Sequence, residues 1–92
     1  VLIQFPREGF WSVGFLTGIT QPSDFERKAV VYVPTAPLPN SGFVVFVHLA
    51  EVYDTDLKVA EAVQFVLSVG IISPDHITTA RLDPNKVYED QA

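Results

Sequence analysis

A chain of 92 residues, 48% of them apolar, is long enough for one domain with a modest core; a domain of this size buries roughly 60–65% of the surface its unfolded chain exposes. It has no cysteine, which excludes disulfides, thiolate metal ligands and cysteine nucleophiles. The formal charge of −5 argues against a nucleic-acid surface, which needs a basic footprint, and against anionic lipid headgroups.

In chain order, residues 1–5 read as a strand. Pro6-Arg7-Glu8-Gly9 is a turn: proline presets φ and glycine accepts a positive one. Residues 10–20 predict a second strand, with Trp11, Val13 and Phe15 on one face and Phe10, Ser12, Gly14 and Leu16 on the other. Gly14 and Gly18 inside that run predict a bulge, a bend or a close backbone approach. Residues 22–27 are polar and predict a loop.

Residues 28–33 and 42–47 are β-branched and aromatic, the composition of buried strands. Between them Pro34, Pro37, Pro39, Asn40, Ser41 and Gly42 supply concentrated turn chemistry. Gly42 closes this connection and opens a strand, so a side chain there is expected to strain the backbone. A short extended piece is expected near residues 51–53.

Val59, Ala62, Val63, Val66 and Leu67 fall on one face of an amphipathic helix. Asp56 is the expected N-cap, Glu61 a favourable charge near the start, and Gly70 the left-handed residue that ends the helix. Ile71 and Ile72 are expected to add a last short strand. The resulting fold class is α+β: a small, mainly antiparallel sheet or partly closed barrel of about five strands with one helix. Residues 1–74 form that domain; residues 75–92 are expected to be an irregular or mobile tail.

No motif carries a recognisable chemistry. Pro34-Thr35-Ala36-Pro37 matches P-x-x-P formally, but it is tightly flanked by strands and reads as a connection. Gly14-Phe15-Leu16-Thr17-Gly18 has the G-x-x-x-G spacing, which matters on a helix in lipid and not on a strand. His48 and His76 lack a third metal ligand, and Glu51, Asp54 and Asp56 lack the calcium-loop pattern. No serine sits in a nucleophile elbow. Trp11 is expected to join the core; if exposed instead, Trp11, Phe10 and Phe15 form an aromatic interaction surface.

The run Phe5-Pro6-Arg7-Glu8-Gly9-Phe10-Trp11-Ser12-Val13-Gly14-Phe15-Leu16-Thr17-Gly18 resembles a signature of the domain of unknown function 502 family of integral-membrane proteins, which includes the plant LIKE-COV (continuous vascular ring) proteins. Val33-Pro34-Thr35-Ala36-Pro37-Leu38-Pro39-Asn40-Ser41-Gly42-Phe43 is similar to its second signature, and Asp56-Leu57-Lys58-Val59-Ala60-Glu61-Ala62, followed by Gly70, to its third block. The chain departs at His48, where members often carry proline, and at Lys58, where a serine often caps the helix.

The resemblance implies two membrane spans upstream, in keeping with a chain that contains no methionine and reads as a piece of a longer protein; precursor processing is the alternative. It also implies a cytoplasmic placement of a soluble domain, and it transfers no catalytic residue. The expected function is non-enzymatic: a protein-interaction, regulatory or self-association module, without cofactor or nucleic acid. The alternative is a small-ligand or lipid-acyl sensor; a third reading is a hydrolase, which His48 gathered with Glu51 or Asp54 in a cleft would favour. A sheet edge or continuous apolar patch favours the first, a deep apolar cavity the second.

Overall fold

The computed structural model describes residues 1–23, 26–38 and 40–82. The strands are β1 (Leu2–Gln4), β2 (Trp11–Val13), β3 (Phe15–Thr20), β4 (Lys28–Pro34), β5 (Gly42–His48), β6 (Tyr53–Thr55) and β7 (Thr79–Arg81). A 3-10 turn (Leu49–Glu51) precedes β6, and one helix, α1 (Val59–Leu67), lies between β6 and β7. Every strand pairing is antiparallel. The strands form two sheets, ordered β2-β1-β6-β7 and β3-β4-β5. The α+β class is thus observed, but among the described residues seven strands in two sheets replace the single sheet or partly closed barrel of about five strands that was expected.

The difference begins at Gly14. The apolar run of residues 10–20 reads as one strand, yet β2 pairs with β1 in one sheet while β3 pairs with β4 in the other. Gly14 alone separates them and is buried. A Cβ there would fall onto Val31 Cγ1 and within 3.2 Å of Tyr32 O, so only glycine lets the chain turn this corner against β4. A second irregularity follows between Leu16 and Gly18, where the β3–β4 register shifts. Thr17 occupies the shift, and its hydroxyl donates to Val30 O at 3.2 Å.

β4 is the central strand of its sheet and alternates strictly. Ala29, Val31 and Val33 are buried, while Lys28, Val30, Tyr32 and Pro34 lie on the other face. Ile3 of β1 and Val52 complete this cluster, with Leu16, Val45 and Val47 packed against it. Among the described residues no aromatic side chain is fully buried, and the core they form is aliphatic.

The helix buries Ala62 and Val66, as its periodicity requires, but leaves Val59 and Leu67 of the same expected face exposed. Its N-cap is Lys58, not Asp56. Lys58 N donates to Glu61 Oε1 at 3.0 Å, which satisfies one backbone donor ahead of the first turn. Asp56 instead ties the loop to β7's approach: its Oδ1 accepts from Thr78 N at 3.1 Å.

At the other end, Gly70 N donates to Phe65 O and Val69 N to Val66 O, the bond pair of a Schellman ending. Gly70 is left-handed at φ +84°, as expected, but it is not the C′ residue that was expected: the C-cap is Ser68, so C′ is Val69, left-handed at φ 50°. Ile71 and Ile72 lie in the following turn rather than in a strand, because Ile71 N and Ile72 N bond back to Ser68. The last strand is β7, inside the segment expected to be irregular, where Thr79, Ala80 and Arg81 pair with β6. Residues 83–92 of the expected tail lie outside the described residues.

Candidate interaction surface

β5 stands at the end of its sheet. Its seven residues pair in unbroken register with β4, from Gly42↔Pro34 to His48↔Lys28. Among the described residues no strand pairs with its other edge, so a row of backbone N–H and C=O groups is left open. Natural edges are blunted by lysine, proline, bulges or inward charge. The sequence Gly-Phe-Val-Val-Phe-Val-His has no Asp, Glu, Lys, Arg or Pro, and its register has no break. Val45 and Val47 face inward, whereas Val44 and Phe46 point to the outer face and are 65% and 61% exposed. Val30 and Tyr32 of β4 sit opposite Phe46 and Val44, and Phe15 of β3 opposite Tyr32, so the outer face is apolar across the sheet.

The proline-rich connection fixes where β5 starts. Thr35 N donates to Ser41 O at 2.8 Å, Thr35 Oγ1 reaches Ser41 O at 3.0 Å, and Ser41 N donates to Leu38 O at 3.2 Å. The Ala36–Pro37 peptide is cis, as is Phe5–Pro6. Gly42 is required by contact rather than by a left-handed backbone: a Cβ would run into Val33 O and stand 2.9 Å from Pro34 Cα. Pro34, Thr35, Ser41 and Gly42 therefore act as parts of a turn, Pro37 supplies its cis bond, and Pro39 lies outside the described residues. The P-x-x-P match is this connection. The Phe5 and Phe43 rings meet at 5.4 Å, joining the turn after β1 to the end of the connection.

Trp11 does not join the core. It lies on β2, an edge strand of its sheet, 53% exposed, with its ring edge-on to Tyr53 at 5.6 Å. As β2 is an edge strand, Trp11 has a neighbouring strand on one side only, and Ile3, Ala29, Val31, Val33 and Val52 form the core without it. Phe10 is exposed too, with the Arg7 guanidinium 4.8 Å from its ring centroid. Phe15 is half-buried on the outer face of the other sheet. Trp11 and Phe15 thus stand on strands of different sheets, with Phe10 just ahead of β2.

Trp11 and Leu2 border two open hollows. One, of about 350 Å³, is completed by Tyr53 and Thr79. The other, of about 470 Å³, runs between the four-stranded sheet and the helix and is walled by Val13, Phe65, Val66 and Val69 among others. The only serine in that wall, Ser12, already donates to Phe5 O at 2.8 Å.

The titratable groups are dispersed. Lys28 Nζ donates to His48 Nδ1 at 3.1 Å, and Glu26 Oε2 is 3.8 Å from the same nitrogen, all at the surface. His48 and Glu51 line one open hollow with Glu26 and Arg27, but no serine borders it. Among the described residues no three His, Asp or Glu side chains come together as a metal site. Val1 N donates to Gly14 O at 2.9 Å, holding the start of β1 against the corner. No described helix is long and apolar enough to cross a membrane.

The free edge of β5 was not singled out by sequence reasoning. Its one available signal was the absence of any gatekeeper charge in residues 42–48, which a buried central strand shares. Neither a curated protein nor a solved structure matches the chain. The third motif block, residues 56–62 with Gly70, lies beyond the stretch that a family comparison covers. Residues 1–41, holding the signature through Gly18 and nearly all of the proline-rich connection, match the family described as Protein of unknown function (DUF502), the family that the sequence motifs resemble.

Proposed function

We propose that this chain is a non-catalytic association module of a membrane protein, and that it works through the open edge and outer face of the β3-β4-β5 sheet. The observation that carries the reading is β5: seven residues without Asp, Glu, Lys or Arg on an edge that no described strand pairs, with Val44 and Phe46 in water. Strand addition at such an edge supplies backbone hydrogen bonds for affinity and alternate side chains for selectivity. The special residues of the motifs support the same reading, because each is used by the backbone. Gly14 makes a corner, Thr35 ties a turn, and Gly42 admits a close crossing. None of them is left pointing polar atoms into a shared cleft.

A photo-cross-linking residue at position 46 of the membrane-bound parent protein tests this. A covalent adduct to a protein is expected from position 46 and not from position 71, which is exposed but off the sheet. Absence of any adduct at position 46 overturns the reading.

The groove of about 470 Å³ beside α1 favours a second reading, an apolar-ligand site. Its volume falls within the ~300–1,000 Å³ of ligand pockets, but it is an open groove without a converging polar anchor. Displacement of an apolar fluorophore by fatty acyl chains, lost in Phe65→Ser, would support it; no fluorophore uptake would end it.

A further inference from the structure

We propose that the occupant of the β5 edge is β5 of a second copy of this chain, paired antiparallel about a two-fold axis at Val45, so that two three-stranded sheets become one continuous sheet. The proposal rests on the association reading above and names its partner.

Self-complementarity is the first argument. In this register Phe43 lies opposite Val47 of the second copy, Val44 opposite Phe46, and Val45 opposite its own counterpart. Each apolar residue meets an apolar residue, and aromatic with β-branched is a favoured cross-strand pair. Because side chains alternate with period 2, the outward Val44 and Phe46 stay on one face and the inward Val45 and Val47 on the other. Centring the axis on Val44 or Phe46 instead shortens the paired length, since the partner strands then overhang into the connection or the 3-10 turn.

Charge is the second. Two copies of a chain with net charge −5 repel each other, so a self-interface must keep carboxylates apart. β5 contains none. Glu26 and Glu51 gather with His48 at one end of the strand. In the antiparallel arrangement that end meets Gly42 and its neighbours Asn40 and Ser41 of the second copy, which are uncharged. A parallel pairing would place the two His48 ends, and with them the glutamates, side by side.

Area is the third. Phe43 and Phe46 are each more than half exposed. At roughly 150–250 Å² per aromatic side chain they leave on the order of 200 Å² in water. Val44 and the backbone ladder add to this, still short of the ~800 Å² per partner of a standard interface. The expected assembly is therefore a reversible dimer that forms as concentration rises.

The absence of cysteine provides the experiment. Val44→Cys and Phe46→Cys chains are prepared separately, with different mass labels, mixed and mildly oxidised. Opposed residues in an antiparallel pair have Cα atoms about 4.5–5.5 Å apart, within disulfide reach. The mixed 44–46 disulfide is expected to outweigh both homodimers, whereas random collision of exposed thiols gives all three statistically. Sedimentation of the parent chain should show a concentration-dependent dimer. Phe46→Lys should weaken it by on the order of tenfold or more, and Ile71→Lys should not; circular dichroism confirms that each variant is folded.

A strict monomer, a statistical disulfide mixture, or a dimer indifferent to Phe46→Lys overturns the proposal. If the chain is monomeric while position 46 of the parent protein still cross-links to a different protein, the self-pairing fails and the association reading stands. If no adduct forms either, both fail.

Discussion

Gly14 and Gly42 carry more of this structure than any large side chain. Both admit backbone or side-chain atoms of the central β4 strand where a Cβ would be. Overpacking a tight site costs about 1–3 kcal/mol, and the atoms facing Gly42 are backbone, which yields least. Gly14→Ala is expected to destabilise the domain by about 1–3 kcal/mol, read by urea unfolding; a change below about 0.5 kcal/mol would show that the corner is not tight. The opposite reasoning applies to Trp11. A buried aromatic lost to alanine costs about 3–5 kcal/mol, but an indole half in water with one ring contact to Tyr53 has roughly half that to lose. Trp11→Ala should leave the chain folded in the same unfolding experiment.

At the scale of elements, the helix is more weakly held than its pattern suggests. Only Ala62 and Val66 are buried, and its end is strained: Val69 is a β-branched residue in the left-handed region. That conformation costs an L-residue about 1–2 kcal/mol, and glycine avoids it. Val69→Gly is expected to stabilise the domain by about 1 kcal/mol, less whatever Val69 contributes to the groove wall, and so to raise Tm by about 4–8 °C. Thermal unfolding checks this, and a lowered Tm would mean that groove packing outweighs the strain. β5 shows the converse at this scale: as a strand it is regular throughout, but its sheet ends with it. The same apolar content that makes residues 42–48 a good strand makes them an open edge.

For the whole molecule, charge and surface act in different places. The chain as a whole has a net charge of −5, but β5 itself contains no Asp, Glu, Lys or Arg, and the apolar outer face lies on it. Association through β5 should therefore gain from screening of the general repulsion between copies, with no ion pair to lose. Raising ionic strength is expected to strengthen the dimer in sedimentation experiments; a dimer that dissociates with salt would point to a charged interface elsewhere. The thin aliphatic core fits the same picture, because Phe10, Trp11, Phe43 and Phe46 all remain more than half exposed instead of filling it.

The sequence by itself determined the local structure. The β-branched and aromatic composition of residues 28–33, the helical spacing from Val59 to Leu67, and the proline–glycine chemistry between β4 and β5 each act over a few residues, and the strand, the helix and the connection each appear where expected. It also held the family resemblance in residues 1–41. The tertiary structure alone decided which sheet each strand joined and which apolar residues stayed in water. A single strand run splits at Gly14, where the chain approaches Val31 too closely to admit a Cβ; Val31 is far along the chain, and nothing in the run itself marks that partner. For the same reason β7 was missed in residues 79–81: three exposed residues have no pattern of their own and become a strand only because β6 offers an edge to pair with. Whether an apolar strand is central or terminal depends on how many neighbours it finds, and that number is a property of the fold rather than of the strand.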